Sequence, residues 1–160
     1  MRSITVTWED PAALAERARG MAGREFLEAI RDGALPPAPI QALLGFALVE
    51  VDEGRTVFAA EPGEQHFNPI GVVHGGLAAT LLDSAMGAAV HSTLSQAGGY
   101  TTLETSVNLV RAMTAETGRV LAAGNVVHRG GRVATAEGRV TRAKDGKLLA
   151  HGSSTCLILG

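Results

Sequence analysis

The spacing of apolar residues changes period several times along this chain, and each change marks an element. Asp10-Pro11 is a helix start, an acidic cap followed by Pro at the first helical position. AALAERARG then reads as a short helix stopped by Gly20. GREFLEAIRDG repeats the pattern, with Phe26, Leu27 and Ile30 on one face and Gly33 past the end. PPAP at 36–39 breaks the helical pattern and hinges into the body. Residues 1–39 are therefore expected to form a short N-terminal helical extension, and residues 40–160 a single domain.

LLGFALVEV (43–51) suits a strand, Asp52-Glu53-Gly54 a turn, and TVFAAEP a second strand, giving a hairpin. A Gly/Pro/Asn-rich loop occupies 63–72. Leu77, Leu81, Ala85 and Ala88 or Ala89 then recur at helical spacing, which predicts one long helix from about His74 to Leu94. After Gly98-Gly99 the period drops to two. TTLETSVNLVRAM, GRVLAAGNVVHR, RVATAEGRVTRA and KLLAHGSSTCLIL are β-rich runs, separated by turns at 116–118, Gly130-Gly131 and Asp145-Gly146. The order predicts an α+β fold, one long helix against one antiparallel sheet. Such a sheet leaves a face and an edge strand open, so a homo-oligomer is expected.

Composition narrows the function classes. The 160 residues are one domain's worth, and 46% hydrophobic against 19% charged residues supports a true core. Aromatics are 4% and Gly numbers 20, so that core is built from small aliphatic side chains. A net charge of −2 argues against non-specific nucleic-acid binding. The one cysteine, Cys156, permits no intrachain disulfide and fits a reducing compartment. MRSITVTWEDP lacks an apolar core, so no signal peptide is expected. The uncharged stretches 65–82 and 84–103 carry Gly, His, Gln or Asn that a spanning helix avoids. A cytoplasmic protein without membrane contact is expected.

Between residues 65 and 103 the only formal charge is Asp83, inside the apolar helix LLDSAMGAAV. A carboxylate there is paired, protonated or functional, unless it sits at the helix edge facing water. His74-Gly75-Gly76 opens the same helix. Its free N–H groups and close backbone access suit an anion or an oxyanion, or else a turn that needs glycine. Gly75 and Asp83 are eight residues apart, about 12 Å along a helix. One helix cannot bring both to one reacting carbonyl. Two antiparallel copies can, so a catalytic site here is expected to be shared between subunits.

Other chemistries find little support. His66, His74, His91, His128 and His151 have no i,i+4 pair and no cysteine pair beside them, so no metal site is expected. GVVHGG lacks the Gly-Lys-Ser/Thr ending of a P-loop, and no G-x-S-x-G occurs. Cys156 reads as packing. Arg129 and Arg132 flank Gly130-Gly131 and suit phosphate, or form a solvated hairpin tip. Arg111 reads as surface-facing.

NPIGVVHGG followed by LLDSAMG resembles the signature of hotdog-fold acyl-CoA thioesterases, and of their PaaI-like branch in particular. The later strands and GREFLEAIRDGALPPAPIQALLGF also resemble that branch. The resemblance implies a long central helix packed on a curved antiparallel sheet, assembled as a dimer or as a dimer of dimers (a homotetramer). It implies an acyl-CoA substrate, aryl or medium-chain, and no cofactor beyond the CoA of the substrate. Asp83 would be general base or nucleophile, and the Gly75 N–H, with Gly76, would polarise the thioester carbonyl. Asn68 and His74 would position water or carbonyl and shape the loop. Some relatives carry Ser or Thr one turn after the carboxylate, where this chain has Gly87. Thr101 or Thr102 would then supply the hydroxyl, and Arg129 and Arg132 would hold CoA phosphates. Two alternatives share the fold: an enoyl-thioester hydratase or dehydratase, whose His-Phe motif His66-Phe67 faintly resembles, and a non-catalytic acyl-CoA-binding module.

Overall fold

The computed structural model describes residues 1–96 and 98–160. Its elements are α1 (Pro11–Ala18), α2 (Gly23–Arg31), α3 (Pro39–Leu44), β1 (Phe46–Asp52), β2 (Arg55–Ala60), α4 (Gly75–His91), β3 (Gly99–Leu109), β4 (Val120–Arg129), β5 (Val133–Arg142) and β6 (Leu148–Leu159). The six strands form one antiparallel sheet in the order β1-β2-β4-β5-β6-β3. The long connection through α4 carries the chain from β2 across the sheet to its far edge. β1 and β3 are therefore the two edges.

The expected α+β architecture is present, with two corrections. Leu43 and Leu44 end a third helix and do not begin a strand. The helix forms because Pro39 sits at its first position, and it stops because Gly45 takes a left-handed φ of 64°. This helix also crosses the boundary drawn between residues 39 and 40. The long helix ends at His91, three residues early, where the Ser92 hydroxyl turns back to the Ala89 carbonyl at 2.7 Å.

α4 lies directly on the sheet. Leu77, Ala78, Leu81, Leu82, Ala85, Met86, Ala89 and Val90 are all buried. The closest approach is at Gly124 of β4, where a β-carbon would sit 2.3 Å from the Ala85 carbonyl oxygen. The same carbonyl accepts the buried Thr56 hydroxyl at 2.8 Å. Gly138 of β5 makes room for Leu82 and Met86. Small residues thus allow helix backbone to meet sheet backbone, which explains a core of Ala, Val and Leu.

The extension is part of this core. Leu27 of α2 is buried within it. Gly23 donates its N–H to the Leu94 carbonyl at 3.0 Å. A β-carbon at Gly23 would lie 1.9 Å from the His91 carbonyl oxygen, so α2 closes on the end of α4 through bare backbone. No described helix is long and apolar enough to cross a membrane.

Gly124→Ala should lower stability by about 2–3 kcal/mol, because neither backbone can retreat. Gly20 has open space around it, and Gly20→Ala should be near neutral. Chemical denaturation of both variants beside the parent chain checks the pair.

Candidate active site

The loop before α4 is built from its own polar atoms. The Asn68 carbonyl side-chain oxygen accepts the N–H groups of Ile70 at 3.1 Å and Val72 at 3.2 Å. The Asn68 N–H returns to the Val72 carbonyl at 2.8 Å, and Gly71 takes a φ of 82° at the tip. The Asn68 amide NH₂ makes no hydrogen bond among the described residues. His66 anchors the loop to the body. Its Nδ1 accepts the Gly63 N–H at 3.1 Å and its Nε2 donates to the Leu44 carbonyl at 3.1 Å. Those two bonds select the neutral tautomer with the proton on Nε2. The His66 carbonyl in turn receives the His74 N–H at 2.8 Å.

His74 is the N-cap of α4. Its Nδ1 accepts the Gly76 N–H at 2.9 Å, and its carbonyl accepts the Leu77 N–H at 3.0 Å. Two of the first three donors of the helix are thereby used. The Gly75 N–H has no partner among the described residues, so it is the donor left for an incoming oxygen. The Gly76 N–H is committed to His74. A side chain at Gly75 would collide with Leu109, whose Cδ1 would be 2.5 Å away.

Gly76, Thr80 and Asp83, at spacings of three and four, form a stripe of α4 turned away from the core, and Gly87 continues it beneath the Tyr100 ring. Asp83 is exposed in the single chain, at the edge of the apolar helix. It is paired, as Thr105 of β3 donates its hydroxyl to Asp83 Oδ1 at 3.1 Å. Thr105 also meets the Ser154 hydroxyl at 3.5 Å, and Ser154 donates to the Glu104 carbonyl at 3.0 Å. The hydroxyl beside the carboxylate is therefore that of Thr105, and neither Thr101 nor Thr102 bonds to Asp83. A β-bulge between Thr102 and Glu104 explains the difference. It shifts the alternation of β3 and turns Thr105 toward α4. Gly87 carries no hydroxyl because Tyr100 fills its place. A β-carbon there would lie 2.5 Å from the Tyr100 Oη.

The remaining candidates lie elsewhere. Arg129 and Arg132 are exposed at the β4–β5 hairpin, and neither pairs with a carboxylate among the described residues. Arg111 is exposed as expected and donates to the Leu148 carbonyl at 2.6 Å. Cys156 is a buried thiol in the core. The described residues contain no group of three or more His, Cys, Asp or Glu able to hold a metal ion.

Within one chain, Gly75 and Asp83 remain about 12 Å apart on a rigid helix, which one small reacting group cannot bridge. The unpartnered N–H and the carboxylate are the two polar parts that acyl transfer to water requires.

Comparison with known proteins agrees with this geometry. The sequence profile of the thioesterase superfamily matches residues 70–149. Acyl-coenzyme A thioesterase 13 of Mus musculus is 33% identical over 109 residues, 68% of this chain and 76% of that protein. A variant of the phenylacetic acid degradation protein PaaI from Thermus thermophilus superposes with a TM-score of 0.68 at 29% identity. The match covers 75% of this chain and 98% of that one. A conserved protein of Pseudomonas aeruginosa superposes with a TM-score of 0.71 at 30% identity, over 77% of this chain and 95% of that one. With its central helix, six-stranded sheet and His-Gly-Gly entrance, the chain belongs to the thioesterase superfamily, as a PaaI-like protein of the hotdog fold.

Proposed function

We propose that this thioesterase hydrolyses an acyl-CoA, aryl or medium-chain, to the free acid and CoA at a site shared between two copies. The observation that carries the reading is the Asp83 carboxylate, held by Thr105 on the open stripe of a helix whose first N–H is unpartnered. In the general-base route, Asp83 takes a proton from water and the hydroxide adds to the thioester carbon. The oxyanion that forms accepts the Gly75 N–H of the other copy. Collapse breaks the C–S bond, and the thiolate leaves with the proton from Asp83. In the nucleophilic route, an Asp83 oxygen attacks the same carbon, expels the thiolate and forms an anhydride that water opens.

The rest of the site follows from position. His74 keeps the helix entrance open by capping Gly76, and the free NH₂ of Asn68 faces water or carbonyl. Gly76, Thr101 and Thr102 line the substrate path, and Arg129 and Arg132 grip the CoA phosphates. β3 supports a shared site. It is an eleven-residue edge strand with Leu103 and Leu109 exposed, a surface suited to a second copy as dimer or homotetramer. A cytoplasmic setting suits a CoA ester and a free thiol. No metal or redox cofactor takes part. The dehydratase alternative needs a free His66 ring, and both ring nitrogens are engaged in the scaffold. The alternative of a non-catalytic binding module makes no use of Asp83.

Thiol release from acyl-CoA esters tests these roles. Asp83→Asn should lower kcat at least about a hundredfold while substrate still binds, as expected for loss of a general base. A near-normal rate would remove Asp83 from the chemistry. Thr105→Val keeps the shape and removes the donor to Asp83. Its kcat should fall about tenfold or more, the weight of one hydrogen bond to a charge, with KM little changed. Gly75→Pro removes the oxyanion donor. Hybrids of Asp83→Asn with Gly75→Pro chains should regain activity that neither homo-oligomer has. A verified hybrid that stays inactive would rule out the shared site.

A further inference from the structure

Tyr100 has no part in the chemistry above, yet it occupies the same seam as Asp83. Its ring lies against the backbone of α4 at Gly87, where a β-carbon would be 2.5 Å from Oη and 2.9 Å from Cε2. Gly87 is one turn beyond Asp83, about 6 Å along the axis. Across the seam, β3 supplies Thr105 beside Asp83 and Tyr100 beside Gly87. The seam is therefore polar and open at one end and aromatic at the other.

Tyr100 cannot easily swing aside. The His91 ring packs against it with centroids 5.6 Å apart, and Phe26 of α2 packs behind His91 at 5.5 Å. Gly23 locks α2 onto the end of α4 and so fixes this three-ring stack. Burial pushes the His91 imidazole below its ordinary pKa, so the middle ring is neutral. Burial, then the neighbouring Cys156 and Asp83, push the Tyr100 phenol up, so it keeps its proton. Among the described residues the phenol makes no hydrogen bond. The phenol oxygen is not sealed from solvent, so it is free to bond a ligand or solvent atom in the seam.

We propose that Tyr100 is a specificity-determining residue, the stop at the far end of the acyl site. An acyl group whose thioester carbon sits at Asp83 runs along the α4–β3 seam and ends on the phenol ring. Of the aryl and medium-chain groups proposed above, a single ring or the shorter chains then fit, and longer chains are turned away. This inference rests on the acyl-CoA reading of the Asp83 site.

Binding of non-hydrolysable S-butyl-CoA and S-dodecyl-CoA thioethers, measured by calorimetry, tests it without requiring turnover. Tyr100→Val and Tyr100→Leu should each shift the ratio of the two dissociation constants at least about tenfold toward the dodecyl ligand. Tyr100→Phe keeps the ring and should leave the ratio within about twofold of the parent chain. Two variants guard against one that fails to fold, and a merely structural Tyr100 would weaken both ligands alike. An unchanged ratio in the folded Val or Leu variant overturns the proposal, as does an equal shift in Tyr100→Phe. Parent chain that binds the thioethers but releases no thiol from butanoyl-, octanoyl- or benzoyl-CoA would overturn the hydrolytic reading alone, and the ratio would still judge Tyr100. Absence of any thioether binding overturns both.

Discussion

The molecule depends on how closely α4 lies on the sheet. At Gly124 there is no room for even one methyl group between strand and helix backbone, and the Thr56 hydroxyl bonds the same Ala85 carbonyl from the side. A helix held by its main chain cannot roll to relieve strain. Its buried stripe is fixed, so the opposite stripe is fixed too. Gly76, Thr80 and Asp83 face outward because Ala78, Ala85 and Ala89 cannot. The stripe that carries Asp83 is thus set by packing on the far side of the helix.

From that constraint the division of labour in the site follows. The helix entrance offers a donor because His74 satisfies Gly76 and leaves Gly75 open. The middle of the helix offers a carboxylate steadied by β3. The end of the helix offers a wall of aromatic rings, the outermost contributed by α2. Few aromatics are present in the chain, and three rings, counting the imidazole, are gathered at this one place. The N-terminal extension therefore backs the Tyr100 ring as well as lying against the sheet.

Much of this was legible in the residues. Period changes located the central helix and the four later strands, because each alternation was bounded by glycine turns. Asp83 stood out because it interrupts nearly forty uncharged positions. What escaped has physical causes. PIQALL ran into the following strand as one apolar stretch, and only the left-handed Gly45 separates them. The sequence pointed to Thr101 or Thr102 and missed Thr105, because the bulge after Thr102 exchanges the two faces midway along the strand. An apolar helix carries no sign of which stripe is open, so the sequence left Asp83 between a paired and a water-facing carboxylate, and the structure shows it exposed and bonded to Thr105. The contact between Gly23 and His91 joins residues far apart in sequence through main-chain atoms, which carry no side-chain signature.

In the proposed shared site, the separation of Gly75 from Asp83 along one unbending helix also makes turnover a matter of head count. On the shared site proposed above, a lone chain would hold both halves of a reaction centre but never in the same place. Mass action then governs the enzyme as well as its substrate. When copies are scarce, encounters between them set the yield of working centres, and output climbs faster than the number of chains. A cell that makes little of this protein would have almost none of the activity, and a modest rise in synthesis would switch it on.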